Sequence, residues 1–160
     1  MSRRGAWSRA TLMDGSAASL ASTLVVVACG YLRGHRGAAG TNASSHWVWG
    51  EQARHREAPS WRYTALGYAI HHASSLFWAG IYHAGRGSGR HPLARAAGIS
   101  ALACLVDYKV VPKRLTPGFE RHLSSSAMWA VYAAFAAGLA ARACWRRRRQ
   151  HRPMTHRDES

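Results

Sequence analysis

Four stretches of this chain are nearly free of charge and long enough to read as helices crossing a bilayer, which takes about 20 mostly apolar residues. They cover residues 15–32 (GSAASLASTLVVVACGYL), 63–84 (YTALGYAIHHASSLFWAGIYHA), 93–111 and 123–143. The first is short but uncharged, between Asp14 and Arg33. The second has only histidines and tyrosines as ionisable groups. In the third, Arg95 and Lys109 stand near opposite ends, where long side chains snorkel, and Asp107 is the anomaly. The fourth is rich in alanine and opens on three serines, and small side chains of this kind allow helices to pack closely in lipid. The pattern predicts an all-α fold, a polytopic membrane bundle of four transmembrane helices.

Helical spacing, about 100° per residue, gives the second stretch two faces. Leu66, Ala69, Ile70, Ala73, Leu76, Phe77, Gly80 and Ile81 form one half, and Thr64, Gly67, Tyr68, His71, Ser74, Ser75, Trp78 and Tyr82 the other, with His72 and His83 at its margin. A polar stripe on a lipid-embedded helix turns inward, where its hydrogen bonds find partners. Asp107 shares its stripe with Ala96, Ser100, Ala103 and Cys104, and so also faces inward. At 1.5 Å rise per residue, His71 lies about 13 Å inside Arg62 and Asp107 about 8 Å inside Pro112. The two depths agree to about one turn, so a polar intramembrane centre of His71, His72 and Asp107 is expected. A hydrogen bond between the carboxylate and a histidine would lower the cost of burying both.

The loop of about 30 residues between the first two stretches carries His46, Trp47, Trp49 and Glu51. Its tryptophans suit a short interfacial helix on the outer surface, with Asn42 as its N-cap. His46, Glu51 and Tyr68 are the candidate contributors from that outer face. After the third stretch, Pro112 should stop the helix, and Pro117-Gly118 should turn the chain into the fourth.

Charge sharpens the topology. The mean hydropathy of −0.25 suggests a soluble basic protein, but nearly all of the 22 Lys and Arg lie in blocks that flank the apolar stretches or at their ends. That placement argues against nucleic-acid binding, where basic residues lie along the structured elements. With four spans, 13 basic residues fall on the side of the N-terminus, the middle loop with its flank (Arg86, Arg90 and Arg95) and the tail from Arg142 onward, and 9 on the other. Cytoplasmic loops hold the excess, so both termini are expected in the cytoplasm. Residues 1–14 then form a basic cytoplasmic N-terminus and 144–160 a basic, disordered cytoplasmic tail, with anionic lipids as the partner of the tail.

Cys29, Cys104 and Cys144 show no CxxC or Cys/His spacing and read as small buried hydrophobes. A competing reading takes Val26-Val27-Ala28-Cys29 as a lipoprotein signal, which would leave three spans; Asp14 at the charged-to-apolar transition argues for a retained helix. No nucleophile with a base, phosphate loop or paired metal motif stands out, so the expectation leans away from an enzyme. Three uses of the polar centre compete. The first is a structural or accessory role, the second a proton or small-solute path through His71, His72 and Asp107. The third, ranked last, is haem or metal ligation by His71 or His72; neighbouring histidines point about 100° apart and cannot form one axial pair.

The segments NASSHWVWG, RYTALGYAIHHASSLFWAGIYH and DYKVVPKRLTPGFERHLS together resemble a family of small, functionally uncharacterised bacterial four-helix inner-membrane proteins, over residues 15–143. The resemblance implies four helices and a bacterial source, and it implies no activity and no catalytic residue.

Overall fold

The computed structural model of the chain describes residues 3–85 and 91–150, and every regular element among them is helical. Four long helices carry the fold: α1 (Arg3–Leu32), α5 (Leu66–Ala84), α6 (Pro92–Leu105) and α7 (Ser125–Gln150). Three short helices, α2 (Ala39–Ser44), α3 (His46–Trp49) and α4 (Glu51–Arg54), form a cap at one end of the bundle. One turn of π-helix, Trp61–Ala65, leads into α5, and another, Val106–Val110, extends α6. Two 3-10 turns, Lys113–Leu115 and Phe119–Arg121, complete the connection to α7.

The central pair is α1 and α7, with α5 packed on α1 and α6 on α7; α5 and α6, adjacent in the chain, touch each other little. Small residues set this arrangement. A Cβ on Gly138 of α7 would lie 2.7 Å from the Ala17 carbonyl oxygen and the Ala18 Cα of α1, so the two backbones are in direct contact. Gly67 of α5 meets the Thr41 carbonyl of α2 in the same way, which seats the cap on the bundle. The core lies in two clusters along α7. One gathers Ala18, Trp78, Ala79, Phe135 and Leu139; the other, nearer the cap, gathers Val26, Phe119, Leu123 and Val131.

Among the described residues two helices, Gly5–Leu32 and Ser125–Gln150, are long and apolar enough to cross a membrane by length and composition, half the number expected from the apolar stretches. Uninterrupted α-helix is shorter in the other two, 19 residues in α5 and 14 in α6, because a π turn takes up one end of each stretch. Buried Gly67, Ser75, Trp78 and Tyr82 lie on the polar half of α5, while Ala69, Ala73 and Phe77 on the other half are exposed.

Several boundaries differ from those the hydropathy suggests. Helix α1 starts before Asp14 and runs through it, because Asp14 is not a solvated boundary but a buried ion-pair partner. Helix α7 continues to Gln150, so residues 144–150 of the expected disordered tail are helical. Arginine favours helix, and Arg147, Arg148 and Arg149 in the last turn meet the negative end of the helix dipole. Residues 151–160 of that tail, and Arg86 and Arg90 of the basic loop, lie outside the described residues. Asn42 is not an N-cap, since it falls inside α2 with its side chain fully buried.

Candidate functional site

Between α5 and α6, where the helices stand apart, the bundle forms an open-sided cavity of about 210 Å³ that reaches up to the cap. Its walls are mostly apolar, with Trp47, Phe77, Trp78, Phe119, Val131 and Phe135 among the lining side chains. Polar groups enter from both sides. His71 with Ser74 and Ser75 come from α5, Asp107 from the π turn that ends α6, and Tyr132 from α7.

His71 and Asp107 therefore line one cavity, but the hydrogen bond expected between them is not formed. Each turns to the central helix on its own side of the cavity. The Ser22 hydroxyl of α1 donates to the Ala18 carbonyl at 2.8 Å, and lies 2.8 Å from His71 Nε2. One hydroxyl thus ties the His71 ring to the buried face of α1. Across the cavity, the Tyr132 hydroxyl donates to Asp107 Oδ2 at 2.6 Å. Tyr132 is held in turn from behind, where the Ser100 hydroxyl of α6 donates to its carbonyl at 2.7 Å. A π turn widens the helix by one residue and re-aims the side chains that follow; here it carries Asp107 at the end of α6.

The remaining sequence candidates are dispersed. His72 leaves the cavity and stacks on Tyr68, ring centroids 5.7 Å apart, with its Nδ1 buried and unpartnered among the described residues. His46 is buried in the cap, where its Nδ1 donates to the Ala43 carbonyl at 2.8 Å. Glu51 is exposed and bonds Arg54 at 2.7 Å and Arg121 at 3.3 Å. Neither His71 nor His72 belongs to a group of ligands at metal-binding spacing. The one such group among the described residues is in the cap: His35, Glu57 and His122.

A second polar cluster, missed by the sequence reading, lies at the end of the bundle opposite the cap. Asp14 of α1 accepts from Arg142 of α7 at 2.7 Å and 3.0 Å and contacts His83 Nε2 of α5 at 2.9 Å. The carboxylate is 3% exposed, so only this pairing makes its burial tolerable. Its sequence signal is a lone acid beside an apolar run, matched by an arginine 128 residues later. His71 and His83 are 12 residues apart on α5, about 18 Å along the axis. The core of Ala18, Trp78, Ala79, Phe135 and Leu139 fills the space between the two polar clusters.

No family model, no curated protein and no solved structure matches the chain.

Proposed function

We propose that the chain is a four-span membrane protein with both termini in the cytoplasm, and that it serves as a non-catalytic binding or accessory protein. In this reading it holds a small, mostly apolar molecule with one polar group between α5 and α6. The observation that carries the reading is the cavity itself, a mostly apolar space into which His71 and Asp107 bring an imidazole and a carboxyl group from opposite walls. Ligand sites have this composition, mostly hydrophobic walls with a few placed polar groups.

Four spans are supported by what α5 and α6 present outward. Leu93, Leu102 and Leu105 on α6 are each more than 40% exposed, as are Leu20 and Leu24 on α1 and Trp129 on α7, and Ala69 and Ala73 on α5 are exposed as well. Apolar surface on all four helices is what a lipid environment calls for and what water penalises. With their π turns, the α5 stretch runs from Trp61 to Ala84 and the α6 stretch from Pro92 to Val110, roughly 36 Å and 28 Å long, against a hydrocarbon core of about 30 Å. At the end opposite the cap, Arg9, Arg95, Arg142, Arg146 and Arg147 line a groove of about 700 Å³. That groove suits anionic lipid headgroups at a cytoplasmic surface.

The alternatives are less well supported. A proton path needs a polar line through the bundle, and the packed core around Trp78 and Leu139 interrupts it. Haem needs more room than about 210 Å³, since cofactor pockets of that class run to about 300–1,000 Å³.

The test is binding of 4-bromophenol to the full chain in lipid nanodiscs, read by heavy-atom quenching of Trp47 and Trp78 at the cavity wall. A saturable phase is expected. Ala103→Phe, which fills the cavity, should abolish it, and Asp107→Asn should weaken it roughly tenfold, the worth of one hydrogen bond to a charged group. Quenching that rises linearly with the probe and is unchanged by Ala103→Phe would mean partition into lipid only and would overturn the reading.

A further inference from the structure

Three residues far apart in the chain meet in the cap: His35 just after α1, Glu57 in the loop before α5, and His122 just before α7. Their ligand atoms all lie within 4.8 Å of one another. His35 Nδ1 is 2.9 Å from Glu57 Oε1, and the His35 and His122 rings meet edge to face with centroids 4.9 Å apart.

His122 is the informative member. It is 8% exposed, and its Nε2 donates to the Arg54 carbonyl oxygen at 3.1 Å. A carbonyl can only accept, so the ring proton is fixed on Nε2 and the lone pair stands on Nδ1. That Nδ1 is buried without a hydrogen-bond partner among the described residues. A buried, unpartnered nitrogen lone pair costs free energy unless something binds it. Backbone carbonyls also hold the distal N–H of metal-bound histidines in this way, fixing the tautomer and orienting the ring. The carboxylate is oriented too, by its bond to His35.

We propose that His35, Glu57 and His122 form a binding site for a divalent transition-metal ion, zinc by ligand chemistry, with one coordination position left open to solvent. Two imidazoles and a carboxylate suit zinc, and three protein ligands with an open fourth position is the arrangement of reactive zinc centres. Tetrahedral zinc with bonds of about 2.0–2.1 Å sets its ligand atoms about 3.3 Å apart. The His35–Glu57 pair is already within that spacing, and the widest separation closes by roughly 1.5 Å on a side-chain rotation. On binding, the ion takes the place of the proton that His35 Nδ1 shares with Glu57; solvent carries a proton from Nδ1 to Nε2, so His35 binds as a neutral imidazole and no net proton is released. The His35 and Glu57 side chains are 32% and 41% exposed, which leaves the open position accessible.

The experiment uses the full chain without a histidine tag, in a His151→Ala, His156→Ala background that removes the histidines of the C-terminal segment. After chelator treatment, Zn²⁺ is titrated by calorimetry and Co²⁺ by absorption. One equivalent of Zn²⁺ should bind, and Co²⁺ should give the intense visible bands of a four- or five-coordinate site. His35→Ala, Glu57→Gln and His122→Ala should each weaken Zn²⁺ at least tenfold, while His55→Ala, a neighbouring surface histidine, should leave it unchanged. Glu57→Gln keeps the shape of the side chain, so its loss of affinity is separable from misfolding, which circular dichroism checks. Less than one equivalent bound, only the weak bands of hydrated Co²⁺, or three variants that bind as tightly as the parent would each overturn the proposal and leave a hydrogen-bonded cluster alone.

Discussion

At the scale of single residues, the cap depends on Asn42. Its amide donates to the Arg56 carbonyl at 2.8 Å and the Ala58 carbonyl at 3.0 Å, and its oxygen accepts from the Thr64 hydroxyl at 2.5 Å. One fully buried side chain thus joins α2, the loop that carries Glu57, and the turn that starts α5. Asn42→Ala strands two carbonyls and a hydroxyl, and the expected loss of stability is about 2–3 kcal/mol, seen as a lower midpoint in detergent unfolding. Asn42→Asp should be at least as damaging, because a carboxylate cannot donate to either carbonyl. An Asp variant as stable as the parent would mean that these bonds do not hold the cap. The sequence did not foretell this role. A polar residue in a loop reads as a cap or a turn, and only the folded chain reveals that its partners come from 14 to 22 positions downstream.

At the scale of elements, the inward faces of α5 and α6 were legible because helical periodicity sorts polar from apolar positions without knowledge of neighbours. What periodicity cannot supply is the neighbour itself. His71 and Asp107 were expected to meet because their helices are consecutive and their depths agree; instead each meets a central helix, Ser22 on α1 and Tyr132 on α7. The central position of α1 and α7 follows from small residues in contact, which is a property of two helices together. Gly138→Leu should therefore break the bundle at its centre, costing about 3 kcal/mol or more, since the Ala17 and Ala18 backbone cannot yield. Gly98 on the exposed side of α6 is the contrast, with nothing within 4 Å of a Cβ built there. Gly98→Ala should stabilise the helix by about 0.5–1 kcal/mol. Thermal unfolding of the two variants in one detergent decides the point: equal shifts would place the α1–α7 contact outside the stabilising core.

At the scale of the whole molecule, the two helices that pass a length-and-hydropathy test are the central pair, and the two that do not are the pair that walls the cavity. This division has a physical reason. A helix that contributes histidine, serine and an acid to an internal chamber lowers its own mean hydropathy, and a π turn that aims a carboxylate inward shortens its uninterrupted α-helical length. The features that make α5 and α6 candidates for function are those that keep them below that length and hydropathy. The metal-site residues escaped the sequence reading for a different reason: His35, Glu57 and His122 lie on irregular segments, where no period links them. Two spans and four spans make opposite predictions for the chain between α1 and α7. Two would leave Gln52 and Ala84, both exposed, on the same side of the membrane. Four place Gln52 with the cap outside and Ala84 near the cytoplasmic surface. In a background with Cys29, Cys104 and Cys144 replaced by alanine, Gln52→Cys should react with an impermeant maleimide in intact cells, and Ala84→Cys only after the membrane is opened. Labelling of both from outside would reduce the membrane domain to α1 and α7 and turn the cavity into a chamber of a water-facing domain, with the polar edge of its ligand, not its apolar body, setting affinity.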